Sequence, residues 1–144
     1  MTYDVLSVRS TRETYKVTRP ADVYSVLKRR YAYGKVESFY AVLLDGAHQI
    51  LAVKLITRGL TNRTMVHPRE VFRPAIEGNA AALIAVHNHP SGFNTASPED
   101  IEVTHRLHEA GELLGIPLLD HLIISRTGYF SFTEGGLLSA PKLN

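Results

Sequence analysis

The run Ala81-Ala82-Leu83-Ile84-Ala85-Val86-His87-Asn88-His89-Pro90 decides the fold of this chain. Its first six residues are apolar over the length of a buried strand, and two imidazoles stand where such a strand should end. If the strand continues to His89, its alternation puts His87 and His89 on one side of the sheet and Asn88 on the other. Pro90 lacks a backbone donor and helps stop the ladder, and Ser91-Gly92 opens a polar connection. Ser97 is then a good N-cap and Pro98 occupies the favoured first helical position, so Asp100 falls in the first turn of a helix. Two neutral imidazole nitrogens and one carboxylate oxygen suit a tetrahedral zinc that keeps its fourth position open for water.

Downstream, the helix begun at Ser97 runs to Leu114 with Ile101, Thr104, Leu107, Gly111 and Leu114 on its packed face, and Gly115 caps it. Gly111 inside it marks close packing, while His105 and His108 belong to its surface or rim. A strand over Pro117–Ser125 and a turn at Arg126-Thr127-Gly128 lead into a last strand, Tyr129–Phe132. The tail from Glu134 is polar, with Leu137-Leu138 as a docking point.

Upstream, His67-Pro68-Arg69-Glu70 opens a helix with Val71, Phe72, Ala75 and Ile76 as its buried stripe and Pro74 as a point of kinking or division. Before it, Glu37–Leu44 and Gln49–Ile56 form a hairpin about Asp45-Gly46, and Thr57–Thr64 reads as a polar loop. A helix entered at Pro20 carries the stripe Val23, Val26, Leu27 and Tyr31, turns Lys28-Arg29-Arg30 to water and ends at Gly34. Residues 1–19 read as an arm or an edge ribbon, and residues 139–144 as a tail. The class is α/β (α+β), with residues 20–138 as one domain.

A chain of 144 residues can bury a core without staples, so a zinc here serves chemistry more than folding. The absence of cysteine removes disulfides, thiolate chemistry and thiolate-held zinc. No leader pattern and no run of membrane-spanning length is present, which makes a cytoplasmic protein with no membrane contact the expectation. The net charge of +2 is uneven: residues 1–36 hold eight Lys or Arg against three acidic residues, and the remainder eight against eleven. Such a basic end can meet an anionic partner, nucleic acid included, or serve as a solvated face.

Zinc hydrolysis needs ligands, an ionisable group beside the attacking water, and a donor for the developing oxyanion. His87, His89 and Asp100 meet the first need, for one Zn(2+) per chain. Glu37 can accept the water proton only if its strand neighbours that of His87, and Ser97 can support the tetrahedral centre through its hydroxyl. Each also has a plainer reading. The histidines can be a buried hydrogen-bonded pair, Asp100 a carboxylate favoured by the helix dipole, Ser97 an N-cap, and Glu37 a solvated strand end.

Taken together, Glu37, His87-Asn88-His89-Pro90 and Ser97-Pro98-Glu99-Asp100 resemble the JAMM motif of JAB/MPN metalloproteases. The stretches Val66–Phe72, His87–Gly92 and Leu118–Ile124 resemble, more closely, the C-terminal domain of RadC-like proteins. The resemblance implies an MPN/JAB-type, cytidine deaminase-like curved mixed sheet flanked by helices. It also implies zinc held by His87, His89 and Asp100, proton handling by Glu37 and assistance from Ser97. The implied reaction is hydrolysis of a peptide or isopeptide bond in a protein substrate. The family's traditional label is DNA repair, and the N-terminal helix-hairpin-helix region of full-length members is not matched in this sequence. A nucleic-acid-associated accessory protein and a non-catalytic MPN scaffold are the competing expectations. Asp120 and His121 are family-like too, with fold support or a contact behind the ligands as their expected part.

Overall fold

The computed structural model describes residues 15–32, 34–59 and 66–139 in full, and residues 3–7 by their backbone. In chain order the elements are β1 (Tyr3–Ser7), α1 (Pro20–Tyr31), β2 (Ser38–Leu44), β3 (Ile50–Arg58), α2 (Pro68–Glu77), β4 (Ala82–Asn88), α3 (Pro98–Leu114), β5 (Leu118–Ser125) and β6 (Gly128–Ser131). The strands form one six-stranded sheet in the order β1-β3-β2-β4-β5-β6. Only β4 and β5 run parallel, and α3 is the helical crossover that a parallel pair requires. The mixed α/β architecture expected from the sequence is therefore present.

Alternation along β2 and β4 divides the core into two layers. Tyr40, Val42, Leu44, Ile84 and Val86 pack on one face with Val23, Leu27 and Tyr31 of α1. Phe39, Ala41, Leu43, Leu83 and Ala85 pack on the other with Val71, Phe72 and Ala75 of α2 and Val103 and Leu107 of α3. Because both faces are covered, β2, β4 and β5 are buried along their whole length, which explains their uninterrupted apolar runs.

Several local expectations need correction. Helix α1 stops at Tyr31, with Ala32 as its cap, rather than at Gly34; the chain beyond is drawn off by hydrogen bonds to β4 described below. Helix α2 is not divided at Pro74, which lies buried in its interior while the helix continues to Glu77. Ile76 is 55% exposed and Leu114 is 46% exposed, so neither belongs to the core. Both instead line an open apolar groove with Phe72, and Val103 takes the core place on α3. Strand β3 extends to Arg58, and the rest of the expected polar loop lies largely outside the described residues. The last strand is Gly128–Ser131, one residue earlier than expected, with Phe132 buried just beyond it.

Gly111 shows why the α3–β5 connection is so short. A Cβ there would stand 2.7 Å from the Ile116 carbonyl oxygen and 3.1 Å from the Leu118 amide nitrogen. Both contacts are backbone, so no rotamer change could relieve them. The C-terminal Leu138 packs against the α2–α3 layer, as its apolar character suggests. Among the described residues, no helix is long and apolar enough to cross a membrane.

Candidate metal centre

Three elements converge at the C-terminal end of β4. The β2–β4 register pairs Phe39 with His87, so Glu37, just ahead of β2, comes alongside His89. Glu37 Oε1 lies 3.6 Å from His89 Nε2. The adjacency that spacing along the chain could not supply is thus provided by the antiparallel pairing.

The N-terminus of α3 delivers the second carboxylate. Ser97 caps the helix by accepting from the Asp100 N–H at 3.1 Å, and the Ser97 N–H donates back to Asp100 Oδ2 at 2.9 Å. This reciprocal clamp fixes the carboxylate and turns Oδ1 to within 3.3 Å of His87 Nε2, while Oδ2 is 3.8 Å from His89 Nε2. Asp100 is fully buried. Burial opposes its ionisation, but hydrogen bonding and charge at His87, together with Ser97, outweigh that cost and hold its carboxyl well below the usual carboxylate range.

The imidazoles face each other with their Nε2 atoms 2.9 Å apart. His89 lies 2.9 Å through Nδ1 from the Phe93 carbonyl oxygen. That oxygen can only accept, so Nδ1 donates to it and Nε2 is the ring nitrogen that faces the cluster. His87 is almost wholly buried and stacks on Phe39 at a centroid distance of 5.9 Å.

These residues fit a metal ion. A tetrahedral zinc with bonds of about 2.0–2.1 Å separates its ligand atoms by about 3.3 Å. His87 Nε2 lies 2.9 Å from His89 Nε2 and 3.3 Å from Asp100 Oδ1, close to that edge, while the 3.8 Å approach to His89 is made by the other carboxylate oxygen, Oδ2. Ligand-capable atoms of Glu37, His87 and His89 also fall within 4.8 Å of one another, so two carboxylates flank one imidazole pair. Asp100 is the buried one and touches both rings; Glu37 is partly exposed and approaches only from the His89 side.

Asn88, between the two histidines, points to the opposite face as its alternation requires. Its Oδ1 accepts from the Ser38 N–H at 2.7 Å and its Nδ2 donates to the Val36 carbonyl at 3.1 Å. The backbone on both sides of Glu37 is therefore pinned by the residue that separates the imidazoles. Sequence reasoning placed Asn88 on that face but missed its task, because the partner segment lies 50 residues away. His121, on β5, for which the family resemblance left fold support or a contact behind the ligands open, lies with its Nε2 2.8 Å from His87 Nδ1. Asp120 points away from the cluster and ties β5 to the segment after β6.

A family model described as the RadC-like JAB domain matches residues 17–137. A UPF0758 protein of Trichlorobacter lovleyi is 48% identical over 123 residues, covering 85% of this chain and 54% of the relative. UPF0758 proteins of Symbiobacterium thermophilum and Caldanaerobacter subterraneus subsp. tengcongensis are 45% and 46% identical, covering 83% and 91% of this chain and 51% and 56% of those relatives. The chain thus spans about half the length of the curated relatives it matches. With the mixed sheet, the paired imidazoles and a family match over most of its length, this chain belongs to the RadC-like JAB domain family.

Proposed function

We propose that the chain is a zinc-dependent hydrolase of peptide or isopeptide bonds, with His87, His89 and Asp100 as ligands. The observation that carries this reading is the convergence of two imidazole Nε2 atoms, 2.9 Å apart, on the Asp100 carboxylate, with a second carboxylate, Glu37, at the exposed side. When bound, zinc supplies Lewis acidity, which polarises a carbonyl and lets water act as a nucleophile near neutral pH.

The chain's own groups supply the rest. Glu37 accepts a proton from the attacking water and later returns it to the leaving amine as the carbon–nitrogen bond breaks. The Ser97 oxygen is committed to the Asp100 N–H, and its hydroxyl hydrogen is the group that meets negative charge developing on the carbonyl oxygen. Asn88 holds the segment carrying Glu37 so that its carboxylate need not be recruited at the moment of reaction.

The purified protein should bind one zinc per chain and cleave an ε-linked lysine isopeptide or a peptide from a fluorogenic panel. Zinc binding that survives alanine at both His87 and His89 would overturn the ligand assignment. Stoichiometric zinc with no cleavage of any of these substrates would favour a scaffold. A second reading, association with nucleic acid, draws on a cavity of about 570 Å³ on the α1 side lined by Arg30, Lys35 and Arg58. Binding to a short DNA duplex that weakens steeply with salt would support it, and no binding at low salt would remove it.

A further inference from the structure

The end of the sheet that carries Glu37 has a second face. Along β2, Phe39 packs in the layer on which His87 stacks, while Ser38 and Tyr40 alternate to the opposite side, beneath α1. On that side the last turn of α1, the chain from Gly34 to Val36 and the ends of β2 and β3 border a cavity of about 570 Å³. Arg30, Lys35 and Arg58 line it, and no acidic residue does. Among the described residues, none of these three cations meets a carboxylate at ion-pairing distance.

The floor of the cavity is apolar and its wall is fixed. Tyr31 and Tyr40 meet there with ring centroids 4.5 Å apart, both almost wholly buried, and the half-exposed Val36 flanks them. The Tyr31 hydroxyl accepts a hydrogen bond from Arg30, which ties one guanidinium to the cavity. The wall is held from behind by the Asn88 amide, through the Ser38 N–H and the Val36 carbonyl. A Cβ at Gly34 would stand 3.1 Å from Asn88 Nδ2, so the bare backbone there lets the wall lie against that amide.

We propose that this cavity binds a small organic phosphate of nucleotide size. Three cations without carboxylate partners, two of them forked guanidinium groups, match the charge and the several oxygens of a phosphate or diphosphate. A single carboxylate would leave most of that charge unanswered. The volume falls within the range of about 300–1,000 Å³ found for small-ligand pockets, and the apolar floor is used only by a ligand that carries a ring beyond its phosphates. The neighbouring Lys28 and Arg29 line a separate cavity together with Asp22. The positive charge therefore gathers round one concavity instead of following the track that a nucleic-acid backbone requires. This gives the cavity a different occupant from the DNA duplex considered above. It lies on the face away from the imidazoles, so neither zinc nor hydrolysis enters.

Titration of the metal-free full chain with ADP, followed by proton–nitrogen NMR, tests this. ADP should shift the amides of Lys35, Val36, Ser38 and Arg58 along one saturable curve. Inorganic pyrophosphate should shift the same amides with an affinity weaker by about 10-fold or more, for want of contact with the apolar floor. Arg30→Gln and Arg58→Gln, both at exposed positions, should each weaken ADP binding about 10-fold. An unchanged spectrum at millimolar ADP, equal affinity for pyrophosphate and ADP, or affinity untouched by both substitutions would overturn the proposal. A DNA duplex that shifts these amides when ADP does not would overturn it too, and would return the cavity to the nucleic-acid reading. The wild-type titrations decide on their own if either variant fails to fold.

Discussion

Replacing Glu37 with glutamine is expected to cut the rate of amide hydrolysis about 100- to 10,000-fold, the range typical for removing a general acid–base group. Zinc stoichiometry should not change, because His87, His89 and Asp100 make their contacts without Glu37. Glutamine keeps the shape and the hydrogen-bonding reach of the side chain but cannot take a proton from water near neutral pH. The backbone either side of position 37 stays clamped by Asn88, so the substitution tests chemistry and not the local fold. Turnover of a cleaved substrate and metal content measured on the same preparation separate the two effects. Wild-type turnover in Glu37→Gln would remove Glu37 from the mechanism; loss of zinc would recast it as a ligand.

The second large effect should be on stability, at Asp120. This fully buried carboxylate accepts from the backbone N–H groups of His121 at 2.8 Å and Thr133 at 3.0 Å. It also accepts from the hydroxyls of Ser131 at 2.5 Å and Thr133 at 3.0 Å. Burial dominates its ionisation and raises its pKa despite these donors. Asp120→Ala leaves all of them facing an empty space and should cost about 3–4 kcal/mol, read from urea denaturation of the metal-free protein. Asp120→Asn should cost less, since the Ser131 and Thr133 hydroxyls can rotate to accept from the new amide. Equal losses in the two variants would mean that volume, and not hydrogen bonding, sets the role of Asp120.

Periodicity was a good guide wherever the signal was local. The β4 run, the Ser97 cap, the Gly115 terminus and the strands on either side of Asp45-Gly46 are each specified by residues within one turn or one strand, and all appear. The placement of Ile76 and Leu114 was misjudged because a helical stripe records which residues are apolar, not how wide a neighbour covers them. At the site, the imidazoles and Asp100 were legible from spacing along β4 and α3. The approach of Glu37 was not, since it depends on the register of β2 against β4.

The alternation of His87, Asn88 and His89 has a bearing on how the chain reaches its native state. A slip of one residue in the β2–β4 pairing would turn both imidazoles toward α1 and aim an amide at Asp100, dispersing the His87–His89–Asp100 cluster and the Glu37 clamp together. Under the proposed metal role, uptake would act as a proofreader of strand alignment: a mispaired chain would be denied the ion, and the free energy of binding would accrue only to molecules whose central strands have met correctly.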